Sequence, residues 1–321
     1  MLEHSEFTID GIHFVSLACI TDGGSREIWV APDYGMNLCR FTVDGRNVID
    51  FEAEAVKHDF SGTPLLYPTP NRVFHGVFRY NGREYPQVKR GNTILSHGLL
   101  YDEPFDGVEV QEGTDSITIS AHKDFLPGDG VYEAFPFRHR LSVKYTLSFS
   151  GVRFEYEIAN HDVQALPYGI ALHPYFMKLD GEDGTLVNAP FEWIYENIEE
   201  DLIPTGKLIS ARGTASDLMS YRPVGELDLD TVYTGNEGNR PASVRYNKLG
   251  LEVMLKCSPE FSHMVIYTPP GEPFFCMENQ TCSTDAHNLF DKAFRQESGL
   301  KFVPPGGRAN GYIKYKIKYL K

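Results

Sequence analysis

Hydrophobic and polar positions alternate most regularly between residues 139 and 158. Leu141, Val143, Tyr145, Leu147 and Phe149 alternate with Ser142, Lys144, Thr146 and Ser148. Past Ser150-Gly151, the series Val152, Phe154, Tyr156 and Ile158 alternates with Arg153, Glu155 and Glu157. Period two on both arms of a turn predicts an antiparallel hairpin with one buried face. The same period returns at Ile313, Tyr315, Ile317 and Tyr319, interleaved with Lys314, Lys316 and Lys318. It predicts a closing strand whose lysines face solvent and guard a sheet edge. Residues 1–60 alternate short apolar segments with turns, among them a tight turn at Asp44-Gly45, and residues 73–90 predict a hairpin turning at Asn81-Gly82. Helical patterns are few: a short one over residues 193–202, and another from Thr284 to Phe294 with Thr284 as its cap. With no linker and no internal repeat, one all-β domain is expected over residues 1–321.

Composition supports that class. Phe (21) and Tyr (18) far outnumber Trp (2), and 29 Gly and 20 Pro supply turns. The net charge of −14 repels phosphate backbones and anionic membranes, so neither nucleic acid nor a membrane is an expected partner. Five cysteines without a CxxC pair read as reduced thiols of a cytoplasmic protein. The first residues, Met1-Leu-Glu-His-Ser-Glu6, lack the basic and apolar regions of a signal peptide, and no apolar run reaches membrane-spanning length.

Candidate chemistry gathers at a few places. Ile170-Ala171-Leu172 reads as a short buried strand that delivers His173 at its end, followed by Pro174, Tyr175 and Phe176. Imidazole titrates near neutrality and suits proton transfer in a pocket, although a lone histidine serves equally well as a packed core residue. His97 stands beside Gly98 and carries the same two readings. Glu278 follows the apolar run Phe274-Phe-Cys-Met277. Carboxylates are seldom buried without a partner or a use, and burial would raise its pKa toward that of a general base. Arg72, after Asn71, could fork onto sugar or carboxylate oxygens. It closes Thr63-Pro-Leu-Leu-Tyr-Pro-Thr-Pro-Asn-Arg72, which three prolines make a fixed, extended loop. A nucleophile elbow, a phosphate-binding glycine loop and a zinc-binding HExxH are all missing. The single ExxH, Glu260 to His263, is one copy where a di-iron site needs two, so no metal is expected.

Taken in chain order, these marks resemble the aldose 1-epimerase (galactose mutarotase) family. Asn71-Arg72 and His97-Gly98 are similar to its Asn-Arg and His-Gly elements, and His173-Pro-Tyr-Phe176 to its His-x-Tyr-Phe. Pro204-Thr-Gly206, Asp230-Thr-Val-Tyr233 and Val303-Pro-Pro-Gly306 resemble three further marks. Glu278-Asn-Gln-Thr281, with Asp285, Ala286 and Asn288, resembles the segment that carries the family's catalytic glutamate. The resemblance implies a β-supersandwich with an open sugar cleft, and interconversion of the anomers of a free aldose without a cofactor. It implies Glu278 as the base on the anomeric hydroxyl and His173 as the acid on the ring oxygen. His97 would hydrogen-bond beside that oxygen, and Arg72 and Asp230 would orient other hydroxyls. Asn71 and Tyr175 belong to the same site. Two places depart from the pattern: Leu99-Leu-Tyr101 replaces a glycine and a tryptophan, and Met177-Lys178 replaces an asparagine.

Three other readings compete. A hexose-phosphate epimerase would need Arg72, Arg79 and Lys178 to converge. A sugar-binding protein on the same scaffold would not need an acid facing a base. A glycoside hydrolase would need two carboxylates at a set separation. The expected partner is a small aldose, and the expected state a monomer or homodimer.

Overall fold

The structure is a computed structural model describing residues 1–58, 61–198 and 202–320. Two large antiparallel sheets dominate the described residues. The first has 13 strands. Five consecutive strands from Leu2 to Ile49 form one half, each paired with the next. The path then jumps through Ile49↔Phe176 to Tyr175–Met177, Phe274–Gln280, His263–Tyr267, Asp230–Thr234, Trp193–Ile198 and Ile203–Ser210. The second sheet has nine strands and holds the predicted hairpin, His139–Ser148 with Gly151–Asn160, as its third and fourth.

The inner faces of both sheets supply one hydrophobic cluster. Leu141, Val143, Tyr145 and Leu147 from the second sheet join Leu17, Ile28, Phe41, Phe275 and Met277 from the first, all buried. Each such side chain contributes roughly 1.5–3 kcal/mol over its exposed state. The predicted turns at Asp44-Gly45 and Asn81-Gly82 are in place, each with its first residue and glycine at positive φ. All five cysteines are free and buried. No described helix is long and apolar enough to cross a membrane.

Three expectations need correction. Residues 193–198 form a strand, Trp193–Ile198, while residues 199–201 lie outside the described residues. Ile194 joins the main core and Tyr195 a second cluster on the opposite face. With both faces covered, the strand shows no alternation, and pairing on both edges overrides local propensity. The later helix is only Ala286–Asp291, entered through Asp285 at φ 54°; Thr284 is buried and does not cap it. The closing strand, Arg308–Tyr319, does turn its lysines outward, but it guards no edge. It runs between Gly151–Asn160 and Leu251–Cys257 in the interior of the nine-stranded sheet. Alternation reports which face a residue takes, never which strand lies beside it.

Candidate active site

The site lies on the face of the 13-stranded sheet opposite the shared core. In Phe274–Gln280, Phe275 and Met277 point into the core, so Glu278 and Gln280 must point the other way. The same parity turns Tyr175 outward beside core Phe176, and Asp230 outward along the strand that buries Tyr233. Asp230 pairs in register with Tyr267, and Glu278 with Val265. Glu278 is therefore mid-strand and 1% exposed.

Two loops close over this face. The proline-rich loop is anchored by Leu65–Leu66, which pairs with Ala171–Leu172. Its far end delivers Asn71 at φ 57° and Arg72. His97 and Gly98 follow with φ 66° and 76°. The His97 N–H donates to Asn71 O at 2.8 Å and the Leu99 N–H to Tyr67 O at 2.8 Å, binding one loop to the other. A Cβ at position 98 would stand 2.3 Å from Tyr67 O, so glycine is required for that approach. His173 falls between the strands Ala171–Leu172 and Tyr175–Met177, held by its N–H to Pro64 O at 3.1 Å.

All seven residues singled out in the sequence line one cavity of about 200 Å³: Asn71, Arg72, His97, His173, Tyr175, Asp230 and Glu278. His173 Nε2 lies 3.3 Å from Glu278 Oε1. The other carboxyl oxygen, Oε2, accepts from Gln280 Nε2 at 3.0 Å. The His97 and His173 rings are 5.1 Å apart, and Tyr175 stacks on His173 at 4.8 Å with 16° between planes. Across the cavity, Arg72 donates to Asp230 Oδ2 at 3.0 Å and to Asn71 Oδ1 at 3.2 Å.

Burial sets the protonation of the pair. It drives the Glu278 carboxyl well above its ordinary value; the nearby Asp230 adds to this, while the Gln280 donor and Arg72 oppose it. Burial also drives His173 well below 6.5, with His97 and Arg72 pushing the same way. His97 itself is lowered to about 4 by burial and then Arg72. Both shifts favour the uncharged forms, a protonated Glu278 facing a neutral imidazole that can accept its proton. Such a pair gives and takes protons without an outside donor.

Two residues of the site escaped the sequence reading. Tyr267 lines the cavity, but its strand is buried on both faces and shows no alternation. Gln280 steadies Glu278; its position two residues on, on the same strand face, was the available signal. None of the residues at the two departures from the family pattern lines the cavity. Leu99 and Leu100 are core residues, and Lys178 pairs with Glu182. No group of three or more His, Cys, Asp or Glu among the described residues is arranged to hold a metal.

Comparison with known proteins places this geometry. The family described as aldose 1-epimerase matches residues 19–316. The uncharacterized protein YihR of Escherichia coli (strain K12) is 31% identical over 176 residues, which cover 53% of this chain and 54% of that protein. The chain thus matches about half the length of this relative. A galactose mutarotase-like protein from Clostridium acetobutylicum superposes with a TM-score of 0.84 at 19% identity, over 99% of both chains. The galactose 1-epimerase of Lactobacillus acidophilus NCFM gives 0.79 at 14% identity, covering 100% of this chain and 99% of that one. At such identities the two structures establish the shared galactose mutarotase-like fold. The match over nearly the whole sequence goes further: this chain belongs to the aldose 1-epimerase family.

Proposed function

We propose that the protein is an aldose 1-epimerase acting on a neutral free aldose through the His173–Glu278 pair. The observation that carries this reading is the 3.3 Å contact of a buried carboxyl and a buried imidazole at a cavity of monosaccharide size. The anomeric hydroxyl meets Glu278 and the ring oxygen meets His173. Transfer of the resting proton from Glu278 to His173 leaves a carboxylate base and an imidazolium acid. Glu278 then takes the proton from the anomeric oxygen as His173 protonates the ring oxygen, and the C1–O5 bond opens. Rotation about C1–C2 presents the other carbonyl face, and the steps reverse. His97, neutral, hydrogen-bonds the sugar beside the ring oxygen; Arg72, Asp230 and Asn71 orient the remaining hydroxyls; Tyr175 offers an apolar wall. Every proton leaves from one member of the pair and returns to it, so no cofactor is required.

The sugar-phosphate alternative is disfavoured by the cations. Arg72 is engaged by Asp230, Arg79 by Glu84 and Lys178 by Glu182, and only Arg72 lines the cavity. Polarimetry of freshly dissolved α-D-glucose, α-D-galactose and glucose 6-phosphate tests the reading. Acceleration of a neutral sugar over buffer is expected. No acceleration of any aldose, or release of a new reducing end from a glycoside, would refute it.

A further inference from the structure

His97 reaches the cavity from a turn, not from a strand. It and Gly98 both have positive φ, and the Leu99-Leu-Tyr101 stretch that follows is one of the two departures from the family pattern. Backbone of this kind has no ladder to hold it, so each polar group needs a partner of its own. Before the turn closes, the His97 N–H is bonded to Asn71 O. After it, Leu99 is held at both of its backbone groups. Its N–H donates to Tyr67 O at 2.8 Å, and its carbonyl accepts from the side chain of Lys89, Nζ, at 2.7 Å.

A lysine ammonium is a costly donor for that carbonyl. Lys89 is 3% exposed, and a buried charge is unfavourable unless it is both paired and hydrogen-bonded. Its partners come from the same stretch of chain. Lys89 bonds Asp102, lies 3.5 Å from Glu103, and stands 4.7 Å from the centre of the Tyr101 ring. Lys89 itself belongs to the short hairpin Val88–Lys89 with Asn92–Thr93, which leads into His97. One ammonium thus reaches across the turn and ties the chain before His97 to the chain after it.

Two other cations meet the same carboxylates. Arg90 donates from the exposed side to Asp102 at 2.6 Å and to Glu103 at 2.8 Å. Lys123, also buried, donates to the other oxygen of Glu103 at 3.2 Å. Among the described residues, only Lys89 of the three bonds to the backbone beside His97. Buried ion pairs contribute little net stability, yet each member is expensive to leave unpaired, so the network resists rearrangement.

We infer that Lys89 is a positioning residue: by holding the Leu99 carbonyl and the carboxylates of Asp102 and Glu103, it fixes His97 in the cavity. Its effect on turnover rests on the proposed mutarotation. Its effect on the His97 ring does not, and the experiment reads both.

The His97 ring, assigned by its absence from His97→Asn, is titrated by NMR in the wild type, Lys89→Met, Lys89→Met/Asp102→Leu and Lys123→Met, alongside mutarotation rates. In the wild type it should titrate at about 4, where burial and then Arg72 place it. The groups that share the cavity with it, Arg72, His173, Asp230, Tyr267 and Glu278, are the same in every variant. Loss of Lys89 loosens the turn and admits water, so the value should climb toward the ordinary 6.5. In the same variant kcat/KM for the preferred aldose should fall at least about tenfold, since a 1 Å displacement can cost about 10²-fold. The double variant exchanges an ion pair for apolar side chains, which protein folds tolerate well, and should show the same rise and the same fall. Lys123→Met takes a buried lysine from the same network but leaves the bond to Leu99. It should lower the urea midpoint and leave both readings unchanged. A His97 titration unmoved in the double variant, or moved as far by Lys123→Met as by Lys89→Met, would overturn the role. Unfolding of both Lys89 variants would make the residue purely structural and overturn it as well. Inactivity of the wild type on every aldose would refute the mutarotation alone, and the titration would still decide the role of Lys89.

Discussion

Glu278 and His173 face each other out of contact with water, which would ionise the carboxyl fully at neutral pH and the imidazole only in part. Because burial pushes their pKa values in opposite directions, the single-proton state of the pair spans a wide pH range. The second proton goes to His173 only below its ordinary 6.5, and the last proton leaves Glu278 only well above its ordinary 4.5. Activity should therefore hold a broad plateau across neutrality. An infrared band of a protonated carboxyl should be present at neutral pH and vanish in Glu278→Gln; its absence from the wild type would show Glu278 to be ionised. The kinetic role follows separately. Glu278→Gln and His173→Asn should each lower kcat by about 10²–10⁴-fold. The double variant should be scarcely worse than the poorer single one, since the two act as a unit. A folded single variant keeping more than about a tenth of the rate would remove that residue from the proton transfer.

The strand Phe274–Gln280 and the two covering loops divide the work of the site. The strand fixes Glu278 by parity, with Gln280 beside it, inside a sheet that allows little movement. The loops supply Asn71 and His97 from backbone in the left-handed region, with Arg72 directly after Asn71, and are held by bonds to each other rather than by regular pairing. Their weakest point is Gly98. Gly98→Ala would force a methyl against the Tyr67 carbonyl and strain φ at 76°. A loss of stability of at least about 1–3 kcal/mol is expected, read as a lower urea midpoint, together with reduced kcat/KM as His97 shifts. A midpoint within about 0.5 kcal/mol of wild type, the usual range for neutral surface changes, would show that the approach can relax. At this level the sequence was legible where one face alone is buried, as in the hairpin over residues 139–158. It was illegible at Trp193–Ile198 and His263–Tyr267, whose two covered faces erase the alternation.

The whole molecule carries a net charge of −14 and is expected to act on an uncharged substrate. Long-range attraction then has no part in capture. Raising salt from about 0.1 M to about 1 M shortens the screening length from about 10 Å to about 3 Å. For a neutral aldose kcat/KM should not respond, whereas turnover of a sugar phosphate should start low and rise as its repulsion is screened. A sugar phosphate that outranks neutral aldoses and weakens with salt would reveal an attractive anion site. Dialysis against a chelator should leave the rate intact, because proton transfer within the pair accounts for the chemistry. A loss restored by Zn²⁺ or Mn²⁺ would contradict that.

Several features of this protein could be read before any coordinates existed. Period-two patterning, few helical segments and an aromatic, glycine- and proline-rich composition made it all-β, because a side chain's face follows from its place along the strand. The ordered marks from Asn71 to Val303 singled out seven residues that line one cavity. What remained depended on pairings between distant segments, which the chain encodes in no local pattern. Only the fold showed that Arg308–Tyr319 is an interior strand, that Tyr267 stands opposite Asp230, and that Leu99 turns into the core. It also answered which way the two groups are pushed, Glu278 toward its protonated form and His173 toward its neutral one. That answer depends on how completely the two are removed from water, and burial is a property of packing that no residue carries in its own identity.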